Sequence, residues 1–89
     1  MTDKTDEITL AELENAENCQ IVDIREELSF SYGCIDGAVN IPLSEFDEAK
    51  LDKSKNIILY CKSGIVSLDL AESLREKGFS AYSLKEGYI

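Results

Sequence analysis

The sequence predicts a small α/β fold: a parallel β-sheet with helices on both faces, in a three-layer α/β/α arrangement. Three observations support it. Short apolar runs alternate along the chain with segments of helical period. One run, Ile57-Ile58-Leu59-Tyr60, is apolar at every position, the pattern of a strand covered on both faces. A tight loop, Cys61-Lys62-Ser63-Gly64, joins that run directly to a helical segment.

Taken in order, residues 1–6 are polar and expected to be disordered. Thr9 with Glu12 three residues later is a capping-box signature. It predicts a helix through about Glu17, with Leu10 and Leu13 facing inward. Residues 19–25 read as a buried strand around Ile21, Val22 and Ile24, and residues 26–33 as a short helix ending at Gly33. A turn at Asp36-Gly37 leads into an extended piece reaching Pro42. Ser44 is placed to cap a brief helix through Lys50, followed by a polar loop to the strand at 57–61. Beyond the loop, Ile65, Leu68, Ala71 and Leu74 recur every third residue with Leu70 alongside, while Asp69, Glu72, Arg75 and Glu76 take the other face. Gly78 suits a left-handed cap, and residues 79–84 read as a last strand. No linker, repeat or low-complexity stretch divides residues 1–89, so one domain is expected.

Composition narrows the function. The 89 residues carry 18 acidic and nine basic side chains, a formal charge of −9. Such a surface is a poor match for nucleic acid or an anionic membrane and repels small anions at long range, so a protein partner with a basic patch fits better. Acidic surfaces also serve solubility alone. No apolar run reaches the roughly 18 residues of a membrane span, and the first residues lack the pattern of a secretory signal. A cytoplasmic monomer is expected. Cys19, Cys34 and Cys61 are an odd number without close pairing, which argues against a disulfide framework. The chain has no histidine, which argues against a zinc site and excludes Ser-His-Asp and Cys-His catalysis within it. No cofactor is implied.

Cys61 is the candidate nucleophile. It stands where a strand ends and a helix begins, and in parallel sheets chemistry collects at the carboxyl ends of strands. Backbone N–H groups of a helix start favour a thiolate there. A cysteine ending a core strand also serves as a small hydrophobe, and position alone leaves both readings open.

The segment "IVDIREELSFSYGCIDGAVNIPL" resembles the rhodanese-like domain family, with its strand ending Asp-x-Arg, short helix, Gly-His-Ile-x-Gly-Ala and Asn-Ile-Pro. "IILYCKSG" and "GFSAYSLKEG" are similar to the family's active-site strand and loop and to its final strand. The resemblance spans roughly residues 20–87. It implies a sulfurtransferase in which Cys61 accepts a sulfane sulfur, holds it as a persulfide and passes it to a thiophilic acceptor. The implied substrate-binding loop is Cys61, Lys62, Ser63, Gly64, Ile65 and Val66, whose N–H groups would hold the sulfur anion without a base. Asp23 and Arg25 match Asp-x-Arg and read as a structural pair fixing the following loop. The implied partner is a sulfur donor or acceptor protein, such as a fused or separate sulfur-carrier-activating enzyme.

The chain departs from the family at three places. Val66 stands at the sixth loop position, often arginine in the family, so thiosulfate activity is expected to be weak. Cys34 replaces the histidine of Gly-His-Ile and reads first as a packing residue, or as a second thiol if the fold brings it close. Glu86-Gly87-Tyr88-Ile89 ends the sequence where the family continues past Gly-Gly into a further helix. The alternative reading is a non-catalytic rhodanese-like interaction module, favoured by Val66 and the short end. A cysteine phosphatase needs arginine where Ser67 stands, and a thioredoxin-like dithiol needs cysteine where Gly64 stands.

Overall fold

The computed structural model describes residues 6–88. Five parallel strands form one sheet in the order β1-β5-β4-β2-β3: β1 (Glu7–Ile8), β2 (Cys19–Asp23), β3 (Val39–Asn40), β4 (Asn56–Tyr60) and β5 (Ser80–Leu84). The helices are α1 (Leu10–Glu14), α2 (Glu27–Tyr32) and α3 (Ile65–Glu76), with 3₁₀ turns at Leu43–Glu45 and Glu48–Lys50. This is the expected parallel α/β arrangement.

The central strand explains the layers. Side chains alternate across a strand, so Ile57 and Leu59 point to one face and Ile58 and Tyr60 to the other. All four are fully buried. The first face packs with Ala71 and Leu74 of α3 and with Phe46 and Leu51 from the 3₁₀ region; the second packs with Leu13 of α1, Ile35 and Tyr88. The continuous apolar run is therefore a strand roofed on both sides.

Several expectations need correction. The first helix ends at Glu14, not near Glu17. Its capping box forms as expected, with the Glu12 N–H on the Thr9 hydroxyl and the Thr9 N–H on the Glu12 carboxylate. Leu13 is buried, but Leu10 is 44% exposed. Ser44 caps nothing: it lies inside the first 3₁₀ turn, and Asp47 caps the second by accepting the Ala49 N–H at 2.9 Å. The disorder expected of residues 1–6 falls, Asp6 apart, outside the described residues. Asp6 itself is tied to the sheet, its carbonyl accepting the Ser83 N–H at 2.9 Å.

The buried face of α3 is also shifted. Ser67, Ala71 and Leu74 are buried, whereas Ile65 is 67% exposed. The cause is geometric. Each three-residue step falls about 60° short of a full turn, so Ile65 and Leu74 end on opposite sides of the cylinder. The i, i+4, i+7 set stays on one side, and its first member is Ser67. The helix closes as expected: Gly78 at φ 94° lets the Phe79 N–H reach the Leu74 carbonyl and its own N–H the Arg75 carbonyl, both at 3.0 Å.

Candidate active site

Cys61 follows the last residue of β4 and is only 7% exposed. The backbone then curls back over its sulfur. The Gly64 N–H donates to Cys61 Sγ at 3.2 Å and the Ser67 N–H donates at 3.4 Å. The thiol lies 3.4 Å from Ser67 Oγ, to which it donates when protonated. Burial pushes the Cys61 thiol up, but the Ser67 hydroxyl and the N–H groups of Ser67, Gly64 and Ser63 together pull it further down. Its pKa therefore lies below the ordinary thiol value, and the fold favours the thiolate.

The curl depends on glycine. Gly64 has φ 84°, and a Cβ there would stand 2.8 Å from the Lys85 carbonyl oxygen. On the opposing segment, Gly87 has φ 71°, and a Cβ there would strike the Lys62 carbonyl. Between them the Tyr88 N–H donates to the Cys61 carbonyl at 2.9 Å. Residues 61–64 are thus clasped against the segment that follows β5.

Beneath the sulfur lies a buried pair of hydroxyls that sequence reasoning missed. Ser67 Oγ and Ser83 Oγ are 2.7 Å apart, and the Ser83 hydroxyl reaches the Gly64 carbonyl at 3.4 Å. Both serines are fully buried. With the thiol protonated, hydrogens run from sulfur to Ser67, to Ser83 and to Gly64. With it ionised, Ser67 must donate to the sulfur and Ser83 to Ser67, since an anion only accepts. The signal for Ser67 was the helical wheel, on which it shares a face with Ala71 and Leu74. Ser83 became legible only through the strand register, which sets it beside Leu59.

The remaining loop residues divide. Lys62, Ser63, Ile65 and Val66 are exposed, Val66 at 42%, and Ser63 Oγ accepts the Ile65 N–H at 3.3 Å. Val66 brings no charge to its position in the first turn of α3. Asp23 and Arg25 form a buried bidentate pair: Arg25 Nη2 meets Oδ2 at 2.6 Å and Nε meets Oδ1 at 3.0 Å. Nη2 also donates to the Gly33 carbonyl at 2.6 Å, which pins the end of α2. The hydrogen bond to Asp23, above all, raises the Arg25 pKa. The guanidinium lies over the rings of both Tyr88 and Tyr60, 4.7 and 5.5 Å from their centroids. Neither Asp23 nor Arg25 is hydrogen-bonded to the Cys61 sulfur. Cys34 and Cys19 are half-buried free thiols; Cys19, raised by burial, donates to the Glu17 carbonyl. Neither is hydrogen-bonded to Cys61. No helix among the described residues is long and apolar enough to cross a membrane, and no group of histidine, cysteine or carboxylate side chains there suits a metal ion.

Comparison with known proteins agrees with this geometry. A thiosulfate sulfurtransferase GlpE from Shewanella oneidensis is 39% identical over 83 residues, covering 89% of this chain and 81% of the relative. A tRNA sulfurtransferase from Desulfurococcus amylolyticus is 39% identical over 67 residues, 75% of this chain but only 14% of that protein. The chain thus spans about a seventh of the tRNA sulfurtransferases it matches. The crystal structure of a rhodanese-related protein from Thermoplasma volcanium superimposes with a TM-score of 0.83 at 28% identity, covering 91% of this chain and 84% of the other. The family model for the rhodanese-like domain matches residues 7–88. With the parallel sheet, the strand–loop–helix around Cys61 and these likenesses together, the chain belongs to the rhodanese-like domain family.

Proposed function

We propose that this protein is a rhodanese-type sulfurtransferase that carries sulfane sulfur on Cys61. The observation that carries the reading is the set of donors on Sγ: two backbone N–H groups and the Ser67 hydroxyl, with no base required. The Cys61 thiolate attacks the outer sulfur of a donor R–S–SH. A new Sγ–S bond forms, the donor's S–S bond breaks, and its electron pair leaves with R–S⁻. An acceptor thiolate then attacks the outer sulfur, giving R′–S–SH and returning Cys61 as thiolate. The loop donors that hold the thiolate also suit the negative end of the persulfide. Lys62, Ser63, Gly64, Ile65 and Val66 form the rim over which substrate approaches. The exposed Ile65 and Val66 present an apolar rim that favours a protein thiol as the acceptor. Thiosulfate is a poor donor here, because Val66 offers its sulfonate end no charge.

Intact mass after incubation with a persulfide donor tests the reading. The wild type gains one sulfur atom, and a Cys61→Ser variant gains none. A gain on both proteins assigns the sulfur to Cys34 or Cys19. No gain on a folded wild type favours the second reading, a non-catalytic interaction module, to which the same apolar rim would belong.

A further inference from the structure

Ser83 breaks the pattern of its strand. Alternate residues share a face, so Ala81 and Ser83 of β5 point the same way. Ala81 packs in the apolar cluster with Ala71 and Leu74 of α3. Ser83 takes the next position on that face, fully buried, where a hydroxyl costs stability unless it is paired. Its partners among the described residues are Ser67 Oγ at 2.7 Å and the Gly64 carbonyl at 3.4 Å. Each hydroxyl has a single hydrogen. While Cys61 is a thiolate, the Ser67 hydrogen belongs to the sulfur, so Ser83 must donate the bond between the two oxygens. A hydroxyl that receives such a bond donates a stronger one. Without it the Ser67 hydrogen has a rival acceptor, because a helical serine readily donates to a carbonyl of the preceding turn. The protonated site gains less from the chain, since S–H is a weak donor. The charged side chains of the surrounding elements stand apart. Lys62, Asp69, Lys85 and Glu86 are exposed, Asp23 is paired with Arg25, and none of them is hydrogen-bonded to Sγ. The nearby Tyr60 hydroxyl accepts the Ile35 N–H.

Resting on the sulfurtransferase reading above, we propose that Ser83 is a positioning residue for Cys61, holding the Ser67 hydroxyl with its hydrogen on the sulfur for as long as the sulfur is charged. Ser83 touches no substrate and acts through Ser67. Once Cys61 is loaded, the negative charge sits on the outer sulfur. The Ser67 hydrogen then returns to Ser83, and the Ser83 hydrogen to the Gly64 carbonyl. The two hydroxyls reverse on loading and again on release, so the Gly64 carbonyl receives the Ser83 hydrogen only in the loaded or protonated state.

The test follows iodoacetamide alkylation of Cys61 against pH, located by peptide mapping, together with sulfur uptake from glutathione persulfide, both on the full chain. Ser83→Ala is expected to raise the alkylation midpoint by about half a pH unit to one, the contribution of one hydrogen bond between neutral groups. Sulfur uptake at a pH below both midpoints then falls about threefold to tenfold, in proportion to the thiolate lost. In a Ser67→Ala background the same change moves neither, because Ser83 has lost the group it acts through. Ser83→Thr keeps the hydroxyl and stays near the wild type, whereas Ser83→Val, of the same shape, behaves as Ser83→Ala. That second pair carries the test if Ser83→Ala does not fold. An unchanged midpoint in the folded variants that lack the hydroxyl overturns the proposal, and so does a shift of equal size in the Ser67→Ala background. No uptake by a wild type whose Cys61 alkylates normally overturns the sulfurtransferase reading, and the role of Ser83 in that reaction falls with it.

Discussion

Ser67→Ala removes one hydrogen bond from the Cys61 sulfur and leaves the others in place. The Ser67 N–H stays, because alanine keeps the backbone, and alanine is a strong helix former at that position. The Gly64 N–H is untouched, since it belongs to the loop. Only the hydroxyl 3.4 Å from Sγ is lost. A hydrogen bond to a charged group contributes about 1.5–3 kcal/mol, and 1.36 kcal/mol corresponds to one pH unit of titration. The Cys61 half-titration is therefore expected to rise by about one to two pH units in Ser67→Ala. The assay is the rate of iodoacetamide alkylation at Cys61 from pH 5 to 10, located by peptide mapping because Cys19 and Cys34 also react. Thermal melts of both proteins verify that the variant is folded. A Ser67→Ala profile superimposed on that of the wild type would refute the reasoning. It would mean that the hydroxyl serves Ser83 alone and does nothing for the sulfur.

Other outcomes follow from the same contacts. Because the folded-state pKa of Cys61 is depressed, its ionisation contributes stability that is fully present above the ordinary thiol value of 9.0 and lost as pH falls through the folded value. Urea midpoints of wild type minus Cys61→Ala should thus diverge more at pH 9.5 than at pH 6, and a difference that shrinks with rising pH contradicts the assignment. Gly64→Ala meets the Lys85 carbonyl and a left-handed φ together, so it should lose about 1–3 kcal/mol in denaturant melts and most of its sulfur loading. Asp23→Asn leaves Arg25 buried without its counter-charge and should cost about 3–5 kcal/mol, with the alkylation profile of Cys61 unchanged in the folded fraction. Val66→Arg places a fork of donors at the sixth loop position and should raise loading from thiosulfate about tenfold; no increase would show that the valine is not what limits it.

Much of this architecture was legible in the sequence because the physics behind it is local. The run at 57–60 could only be a covered strand, and Gly64 and Gly78 stand where backbone geometry requires them. The setting of the candidate site was legible to the same depth: a cysteine at a strand end followed by a short glycine-bearing loop. What could not be read depends on distance along the chain. β1 is two residues long, too short for any periodicity, and exists because residues 7 and 8 meet residues 83 and 84. Ile65 deceived because a spacing of three mimics helical period over one turn and drifts over three. Ser67 and Ser83 have no chemical meaning until α3 and β5 both dock against the end of β4.

That dependence sets a clock on the surroundings of Cys61. The central strand takes its partners from residues 19–23 and 80–84, and the last strand to be synthesised lies in the interior of the sheet. Closing such long loops makes folding slower than that of a helical bundle of equal length. On a ribosome adding roughly 5–20 residues per second, about one to five seconds pass between Cys61 and the end of β5. Throughout that interval the Ser83 hydroxyl and the clasp at Gly87 do not yet exist. The nascent chain exposes an ordinary thiol, sluggish towards persulfides at neutral pH, and the acidic thiol appears only when the fold is complete. On the proposed function, sulfur loading is therefore confined to molecules that have finished folding.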